Sequence, residues 1–501
     1  MIRRNDLSAK TDFYKIAHAN QYVPNLCHLE SYFEMRTGAK YPFGAFFGFS
    51  AILQENLTKI ILDPEFMQKK TSLWSGGFDY YQKEVWEKVA KLKYLPVKIS
   101  ALPEGSIAPI NTALWKIEST QPWFAPFVSS LEGLLTHVWY PSTILTRELY
   151  MYKAIKAKME LTGGEHLLPY ALNDFGYRGA TSNESAIFAG MAHLLLFDGS
   201  DNIAADLAFH DFYKMEETKT QLFSVWATEH SVATSFGLSF ENEVSYILHQ
   251  LHNSPQSSIN SIVIDSLNPK NFMQSIVADP RVVEAIKLKS KEGGKVVFRP
   301  DSGIPEASID MVITSLSSIF GHSYNQKGYK ILNSSVGVLQ GDKISEETPA
   351  QLYDFITRNG WCTSNLIFGS GGGLHGGVSR DTQCCATKAC YGKKIVDASY
   401  LQQPEDIDIR FLDNKCEQKI VSFGIHKKTE GKKSKCGSVK TIPLYFNNYV
   451  SYKTITNTEI DNFNNYVDAM EVVYENGQLN IPSVESIKKR LFESLPILND
   501  I

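Results

Sequence analysis

The chain has 501 residues, of which 43% are hydrophobic and 21% are charged, and its 50 basic and 54 acidic side chains give a formal net charge of −4. Values this near the globular average exclude collagen, coiled coil and wholesale disorder, and the lack of a positive excess argues against a nucleic-acid partner. The longest mainly apolar run, 186–197, is shorter than the about 20 residues that a bilayer span needs. The basic N-terminus also lacks the apolar stretch of a signal peptide. We therefore expect a cytoplasmic enzyme that binds neither nucleic acid nor membrane.

The first part of the chain, residues 1–160, mixes helical and strand signals. Runs at 94–105 and 113–120 have the composition of strands, and no repeat of solenoid type is present. We expect this part to form the first half of an α+β domain.

A different regularity begins near residue 165. Short apolar runs end on small or charged residues at 169–179, 261–266, 295–303, 336–342 and 365–373. Helical patterns lie between them, for example at 308–320 and 349–360. Alternating strands and helices favour a parallel sheet, and wholly apolar strands indicate that both of its faces are covered. The sequence therefore predicts an α/β fold with an irregular β/α barrel over residues 165–390.

The last part, residues 391–501, differs again. A Lys-rich stretch near 400–440 resembles a surface excursion, and Asn476-Gly477 is a strong hairpin signal. We expect this part to complete the α+β domain, which is then built from both chain ends.

Polar residues end four successive strands of the predicted barrel. These endings are Asp265, Arg299 with Asp301, Gly341 with Asp342, and the run from Ser370 to Gly373. Any one of them also suits a turn or a cap. Because active sites form at the carboxyl ends of parallel strands, four such endings together predict one shared site.

The glycine run at 369–373 has the composition of a phosphate-binding nest, because its backbone N–H groups can approach an anion closely. A flexible loop is the alternative, and Arg380 is a candidate second phosphate contact. The acids suit Mg²⁺, which proteins usually hold through one or two carboxylates together with substrate phosphates. Asp265 and Asp301 are the candidate metal ligands.

His230 lies between Glu229 and Ser231, where it fits a general base, a phosphate acceptor or a buried polar residue. The residues alone leave these alternatives open.

Taken together, the motifs resemble the nicotinamide phosphoribosyltransferases, a type II phosphoribosyltransferase family. The matching strings in chain order are TDFYK, SYFEMR, WYPSTILTRE, DFGYRG, GSD, EHS, RPDSG, QGD, NQKGYKIL and FGSGGGL followed by SRD, with a looser match at 430–438. The dense part of the match runs from residue 11 to about residue 390.

The resemblance implies transfer of the phosphoribosyl group from phosphoribosyl pyrophosphate (PRPP) to nicotinamide, with Mg²⁺ as cofactor. Phe175 and Tyr14 would stack on the pyridine ring, with Tyr14 and Asp12 contributed by the second subunit of a homodimer. The remaining substrate contacts implied by the resemblance are Arg178 and Arg299 near the phosphates and the carboxamide, Asp265 and Asp301 at magnesium, pyrophosphate and ribose, Gly341 and Asp342 at the ribose, Gly371 and Gly372 at the 5′-phosphate, and Arg380, Arg36 and Lys432 as further cations.

Two residues carry the finer expectations. Asp201 can accept a hydrogen bond from the carboxamide N–H₂ and would repel the carboxylate of nicotinate, which favours the amide as substrate. The resemblance further implies that ATP transiently phosphorylates His230 and so stimulates the reaction.

The sequence departs from the family pattern near the expected base channel, at Trp226, at Asn173 and over 264–268, and a segment at about 399–420 has no clear family counterpart. Three alternatives to the leading interpretation remain: transfer to nicotinate, a barrel hydrolase with paired carboxylates, and a non-enzymatic binding or signalling protein.

Overall fold

The computed structural model describes residues 3–397, 418–427 and 434–500. The chain divides into two compact units, of which the first comprises Met1–Thr146, Phe209–Glu216 and Val378–Ile501 and the second comprises Arg147–Ala208 and Glu217–Gly377. The sequence placed the first division near residue 160. The observed division falls inside one continuous helix, Trp139–Thr162, so no loop or composition change marks it.

The described strands and helices follow one another closely along the chain. The strands are β1 Leu26–Glu34, β2 Phe43–Ala45, β3 Val97–Ala101, β4 Ile107–Pro109, β5 Ala113–Ser119, β6 Leu172–Asp174, β7 Trp226–Ala227, β8 Ile259–Val263, β9 Lys295–Arg299, β10 His322–Tyr324, β11 Lys330–Leu332, β12 Val336–Gln340, β13 Leu366–Ser370, β14 Ala386–Asp397, β15 Gln418–Gly424, β16 Val439–Tyr445, β17 Val450–Thr456, β18 Glu471–Glu475 and β19 Gln478–Leu479. The α-helices are α1 Phe13–His18, α2 Phe49–Leu57, α3 Pro64–Trp74, α4 Lys83–Leu92, α5 Val128–Thr136, α6 Trp139–Thr162, α7 Asn183–Leu194, α8 Ile203–Phe212, α9 His230–Ser235, α10 Phe240–Asn253, α11 Pro269–Asn271, α12 Pro280–Lys291, α13 Pro305–Phe320, α14 Thr348–Arg358, α15 Gly372–His375 and α16 Val484–Ser494. Among these described helices, none is both long and apolar enough to cross a bilayer.

The first unit is built on a seven-stranded antiparallel sheet in the order β15-β14-β1-β5-β3-β18-β19. Its core contains the rings of Phe33 and Trp115, which stack with centroids 5.7 Å apart. The predicted hairpin joins β18 to β19, with Asn476 and Gly477 both at positive φ, as a type I′ turn requires.

Part of the predicted surface excursion belongs to this sheet. β15 pairs with β14, and Val421 is fully buried, because one face of this edge strand packs on the core. Two further parts of that stretch, within 398–417 and 428–433, lie outside the described residues.

The second unit contains a six-stranded, wholly parallel sheet in the order β6-β13-β12-β9-β8-β7. Single-residue parallel bridges, Asp174↔Ser200 and Gly199↔Phe223, continue the pairing beyond β6 and towards the segment that precedes β7. Every residue of β12 is buried, which fits a sheet covered on both faces. The α/β prediction with an irregular β/α barrel is confirmed.

Local sequence signals explain where the barrel helices start and stop. The Ser182 side chain caps α7 by accepting from Ser185 N, and the Ser185 side chain accepts from Ser182 N, which completes a capping box. Pro305 opens α13, and Gly321 ends it with a φ of 80°. Because each helix returns the chain to the same end of the sheet, the strand carboxyl ends share one edge.

A buried ion pair in the second unit gives a pH-dependent stability. His193 Nδ1 lies 2.7 Å from Glu148 Oε2, and both side chains are fully buried. Burial lowers the pKa of His193, but Glu148, helped by the charge of Asp174 and the Gly199 carbonyl oxygen, outweighs burial and raises the pKa above its ordinary value. The stabilisation is therefore complete below about pH 6.5 and is lost as the pH rises through the raised folded-state value.

We expect the unfolding temperature of the wild-type protein to fall by about 3 °C more than that of His193→Gln between pH 6 and pH 9. Scanning calorimetry of both proteins across that range measures the difference. If the unfolding temperatures of the two proteins changed with pH in parallel, the pH-dependent stability would not come from the pair of His193 and Glu148.

Candidate active site

A cavity of about 770 Å³ lies in the second unit, where strands of the parallel sheet end. The predicted site residues on its wall are Phe175, Arg178, Asp201, His230, Arg299, Asp301, Gly341, Asp342, Gly371 and Gly372. The structure thus brings together residues that are separated by up to about 200 positions in the chain.

Two arginines on the cavity wall, Arg178 and Arg299, can bind an anion. Arg299 Nη2 donates to the carbonyl oxygen of Thr228 at 2.9 Å, which anchors one edge of the guanidinium. Over the described residues, neither Arg178 nor Arg299 forms an ion pair, so both charges remain available to a ligand. Guanidinium groups bind phosphate through paired N–H donors.

The glycine run lines the same cavity through Gly371 and Gly372. α15 begins at Gly372. Leu374 N donates to the carbonyl oxygen of Gly371 at 3.1 Å, whereas the N–H groups of Gly372 and Gly373 have no acceptor within the helix. A Cβ on Gly179 would lie 2.7 Å from the Cα of Gly372, which shows how closely the two loops approach. This geometry suits a phosphate held by backbone N–H groups.

His230 has a carboxylate at each side of its ring. Its Nε2 lies 2.9 Å from Asp265 Oδ1 and its Nδ1 lies 4.0 Å from Asp301 Oδ2, with 45% of the side chain exposed. Asp265 is only 2% exposed, and its Oδ2 accepts from the backbone N of Asp301 at 3.0 Å. Both oxygens of Asp265 therefore have protein partners, and the bond to Nε2 leaves the Nδ1 lone pair free when the ring is neutral.

A second, apolar cavity of about 240 Å³ extends into the barrel and shares Phe175, Asp201 and Ala227 with the first. Its walls include Val297, Leu339 and other apolar side chains. The Phe175 ring packs against β13 at Gly369, where any Cβ would overlap it. A flat ring can therefore lie beside Phe175 with the anion-binding cavity next to it.

Asp201 stands where the two cavities meet. Partial burial raises the pKa of its carboxyl group, and a hydrogen bond from Ser224 to Oδ1 opposes that rise. Ser224 was not predicted from the sequence. It is 23 positions from Asp201 and belongs to no motif, so no spacing rule connects the two.

Known proteins decide the family to which this fold and site belong. A nicotinamide phosphoribosyltransferase from Xanthomonas campestris pv. campestris is 34% identical over 388 residues, which cover 77% of this chain and 81% of that protein. The chain belongs to the nicotinamide phosphoribosyltransferase family. The resemblance drawn from the motifs is confirmed, and the protein is a phosphoribosyltransferase.

Other matches agree with this family. A nicotinamide phosphoribosyltransferase from Acinetobacter baylyi is 30% identical over 432 residues, covering 78% of this chain and 83% of that protein. Residues 170–400 match the nicotinate phosphoribosyltransferase (NAPRTase) family, and residues 6–99 match the N-terminal domain of nicotinamide phosphoribosyltransferase.

Solved structures support the fold. A human nicotinic acid phosphoribosyltransferase aligns with a TM-score of 0.57 at 16% identity, covering 97% of this chain and 93% of that chain. A nicotinate-nucleotide pyrophosphorylase from Pyrococcus furiosus aligns with a TM-score of 0.55 at 14% identity, covering all of this chain and 97% of that chain.

The departures from the family pattern have different structural consequences. Trp226 turns away from the inner cavity and donates from Nε1 to Gln250 Oε1 at 3.3 Å, whereas its neighbours Val225 and Ala227 line the cavity. Asn173 does line the cavity, and its Nδ2 donates to the carbonyl oxygens of Tyr170 and Phe368. Asn173 is therefore part of the channel wall, whereas the Trp226 side chain is not among the residues that line it.

Other residues of the predicted phosphoribosyltransferase site lie in the first unit. Tyr14 is 58% exposed, and Asp12, which precedes α1, is also exposed. Arg36 Nε lies 3.6 Å from Glu34, and the exposed Arg380 pairs with Asp381 at 3.2 Å. Lys432 lies outside the described residues. Substrate contacts by these residues stay predictions.

Proposed function

We propose that this enzyme transfers the 5-phosphoribosyl group of PRPP to nicotinamide, forming nicotinamide mononucleotide and pyrophosphate for NAD salvage in the cytoplasm. The observation that carries the proposal is the junction of two cavities at Phe175 and Asp201. One cavity has two arginines that form no ion pair within the described part of the chain, together with a glycine run that suits phosphates. The other cavity is apolar and suits a flat ring.

The reaction breaks the bond between C1 of the ribose and the pyrophosphate oxygen and forms a bond from C1 to the pyridine nitrogen. Arg178 and Arg299 line the cavity and would stabilise the charge that develops on the departing pyrophosphate. The pyridine nitrogen carries no proton, so the transfer needs no general base. Phe175 orients the ring nitrogen towards C1, which lowers the entropic part of the barrier.

The site has a donor set that fits Mg²⁺. Asp301 and Asp342 line the cavity with partly exposed carboxylates, and Mg²⁺ usually binds one or two carboxylates plus substrate phosphates. Bound there, the ion would offset the charge of the pyrophosphate. Asp265 was predicted as a ligand, and it joins the set only if it releases His230 or the Asp301 backbone.

We further propose a homodimer as the active form, in which Tyr14 and Asp12 of a second copy complete the base site. The exposure of Tyr14 supports this proposal, because a large aromatic side chain is available to a partner surface.

Phe175→Ala is expected to raise the KM for nicotinamide about fivefold, because ring stacking is worth about 1 kcal/mol. The KM for PRPP is expected to change by no more than about twofold, because the substitution removes a contact to the base and leaves the PRPP contacts in place. Steady-state kinetics with each substrate varied in turn measure both constants. Tyr324→Ala removes an exposed aromatic side chain of the same unit and serves as control. An unchanged KM for nicotinamide in Phe175→Ala would exclude stacking.

We also propose that ATP stimulates the reaction by phosphorylating His230. Nδ1 would attack the γ-phosphorus as the bond to ADP breaks, while Asp265 holds Nε2 and stabilises the ring. Hydrolysis of the phosphohistidine by water would then return the free imidazole and phosphate.

His230→Asn is expected to abolish incorporation of label from γ-³²P-ATP, because the nucleophilic nitrogen is removed. Quantification of acid-labile, base-stable phosphate on the protein measures the change. His252→Asn replaces an exposed histidine of α10 and should label like the wild type. Equal labelling of His230→Asn and wild type would refute the phosphohistidine.

The transfer itself is tested by incubating the wild-type enzyme with PRPP, Mg²⁺ and ring-labelled nicotinamide. Labelled nicotinamide mononucleotide and an equal amount of pyrophosphate are expected. Nicotinamide mononucleotide without pyrophosphate, or no product from any pyridine base, would overturn the proposed reaction.

A further inference from the structure

One buried carboxylate in the second unit contacts three segments of the site. Asp174 is fully buried at the end of β6, and its Oδ1 lies 2.8 Å from His375 Nε2 and accepts from Gly176 N at 2.7 Å. Its Oδ2 accepts from Asn202 Nδ2 at 3.3 Å, and its carbonyl oxygen accepts from Asp201 N at 2.9 Å.

Each of these contacts reaches a different part of the proposed site. Gly176 lies between Phe175, which is proposed to contact the base, and Arg178, which is proposed to contact the phosphates. Asn202 follows Asp201, and His375 ends α15, the helix that starts in the glycine nest. Phe175 N also donates to Ser370 O at 2.9 Å, so the base loop and the nest are neighbours.

The contact between the side chains of Asp174 and His375 is close, and it requires a glycine at position 176. A Cβ on Gly176 would lie 2.6 Å from His375 Cδ2, so a larger residue would displace the imidazole. Burial raises the pKa of Asp174, but the hydrogen bond and charge of His375, together with the charge of His193 and the hydrogen bond from Gly176 N, outweigh burial and lower it. Loss of the histidine donor would leave a buried carboxylate with fewer partners, which is costly.

We propose that Asp174 and His375 form a positioning pair that fixes the base-binding loop relative to the phosphate-binding nest. The inference rests on the proposed function. Neither side chain need touch a reacting atom: Asp174 sets the loop at 175–178 and the backbone of Asp201, and His375 ties that arrangement to α15. Breaking the pair should therefore weaken binding of both substrates at once.

The test compares two replacements of similar size. Gln in His375→Gln keeps an N–H donor near the position of Nε2, whereas Met in His375→Met has none. Since small displacements of binding groups have large kinetic effects, His375→Met is expected to raise the KM for nicotinamide and for PRPP about tenfold each. Both KM values of His375→Gln should stay within about threefold of the wild-type values, because glutamine still provides an N–H donor to Asp174.

A stability control separates positioning from general damage. Tyr353→Phe removes a buried hydrogen bond to the Leu366 carbonyl at 3.1 Å in the same unit. It should lower the unfolding temperature without changing either KM. Wild-type KM values in His375→Met, a change in only one KM, or equal impairment of the Gln and Met variants would each overturn the inference.

Failure of the proposed function is a distinct result, because wild-type enzyme would then form no nicotinamide mononucleotide. Titration of the same variants with magnesium pyrophosphate would still decide the inference in that case. Weaker binding in His375→Met than in His375→Gln supports the pair, and equal binding overturns it.

Discussion

Arg299→Met is expected to lower kcat/KM for phosphoribosyl transfer by about 10²- to 10³-fold, the usual cost of losing a donor aimed at developing charge. The guanidinium lines the anion-binding cavity, is held by the Thr228 carbonyl oxygen, and forms no ion pair with any described residue. Methionine keeps much of the apolar stem but provides no N–H donors. Initial rates at varied PRPP measure the loss.

Arg281→Met is the matched control for this prediction. Arg281 lies on α12 of the same unit and pairs with Asp279 and Glu241 at the surface. Exposed ion pairs contribute little to stability, so this variant should keep wild-type kinetics. If both variants lost activity equally, or if neither did, Arg299 would have no specific part in stabilising the leaving pyrophosphate.

Asp201→Asn is expected to reduce the preference for nicotinamide over nicotinate by about 10²-fold, because removing a like charge relieves repulsion of several kcal/mol. One oxygen of Asp201 accepts a hydrogen bond from Ser224, which leaves the other to accept from a carboxamide N–H. Asparagine keeps the size of the side chain and removes its charge. The ratio of kcat/KM for the two bases is the quantity to measure.

Asp206→Asn controls for removal of a nearby carboxylate. Asp206 lies on α8 of the same unit and accepts from Thr220 and Gln221. This variant should keep the wild-type ratio. An unchanged ratio in Asp201→Asn would show that discrimination between amide and acid resides elsewhere in the site.

Much of the fold was predictable because its signals are local. The apolar runs at 295–303 and 336–342 became β9 and β12, and Asn476-Gly477 formed its hairpin. Such features depend on neighbours within a few positions, where side-chain period and turn chemistry decide the structure. The boundary inside α6 and the strand at 418–424 depend on packing against distant segments.

The site was predictable as a set of strand ends but not in its internal contacts. Asp265 and Asp301 look alike in sequence, yet one carboxylate is bound to His230 and a backbone N–H while the other lines the cavity. The contact of Asp174 with His375 joins positions 201 residues apart. No local rule indicates which of several strand-end acids turns inwards, because that choice is made by the packing of whole strands and loops.

The most direct measurement pairs nicotinamide with nicotinate as acceptor, each with PRPP and Mg²⁺ and each with and without ATP. Product from nicotinamide, at least about 10²-fold faster than from nicotinate and stimulated by ATP, is the result that the geometry of Asp201 and His230 predicts. Product mainly from nicotinate, or none from either base, would contradict nicotinamide phosphoribosyl transfer as the function of this site.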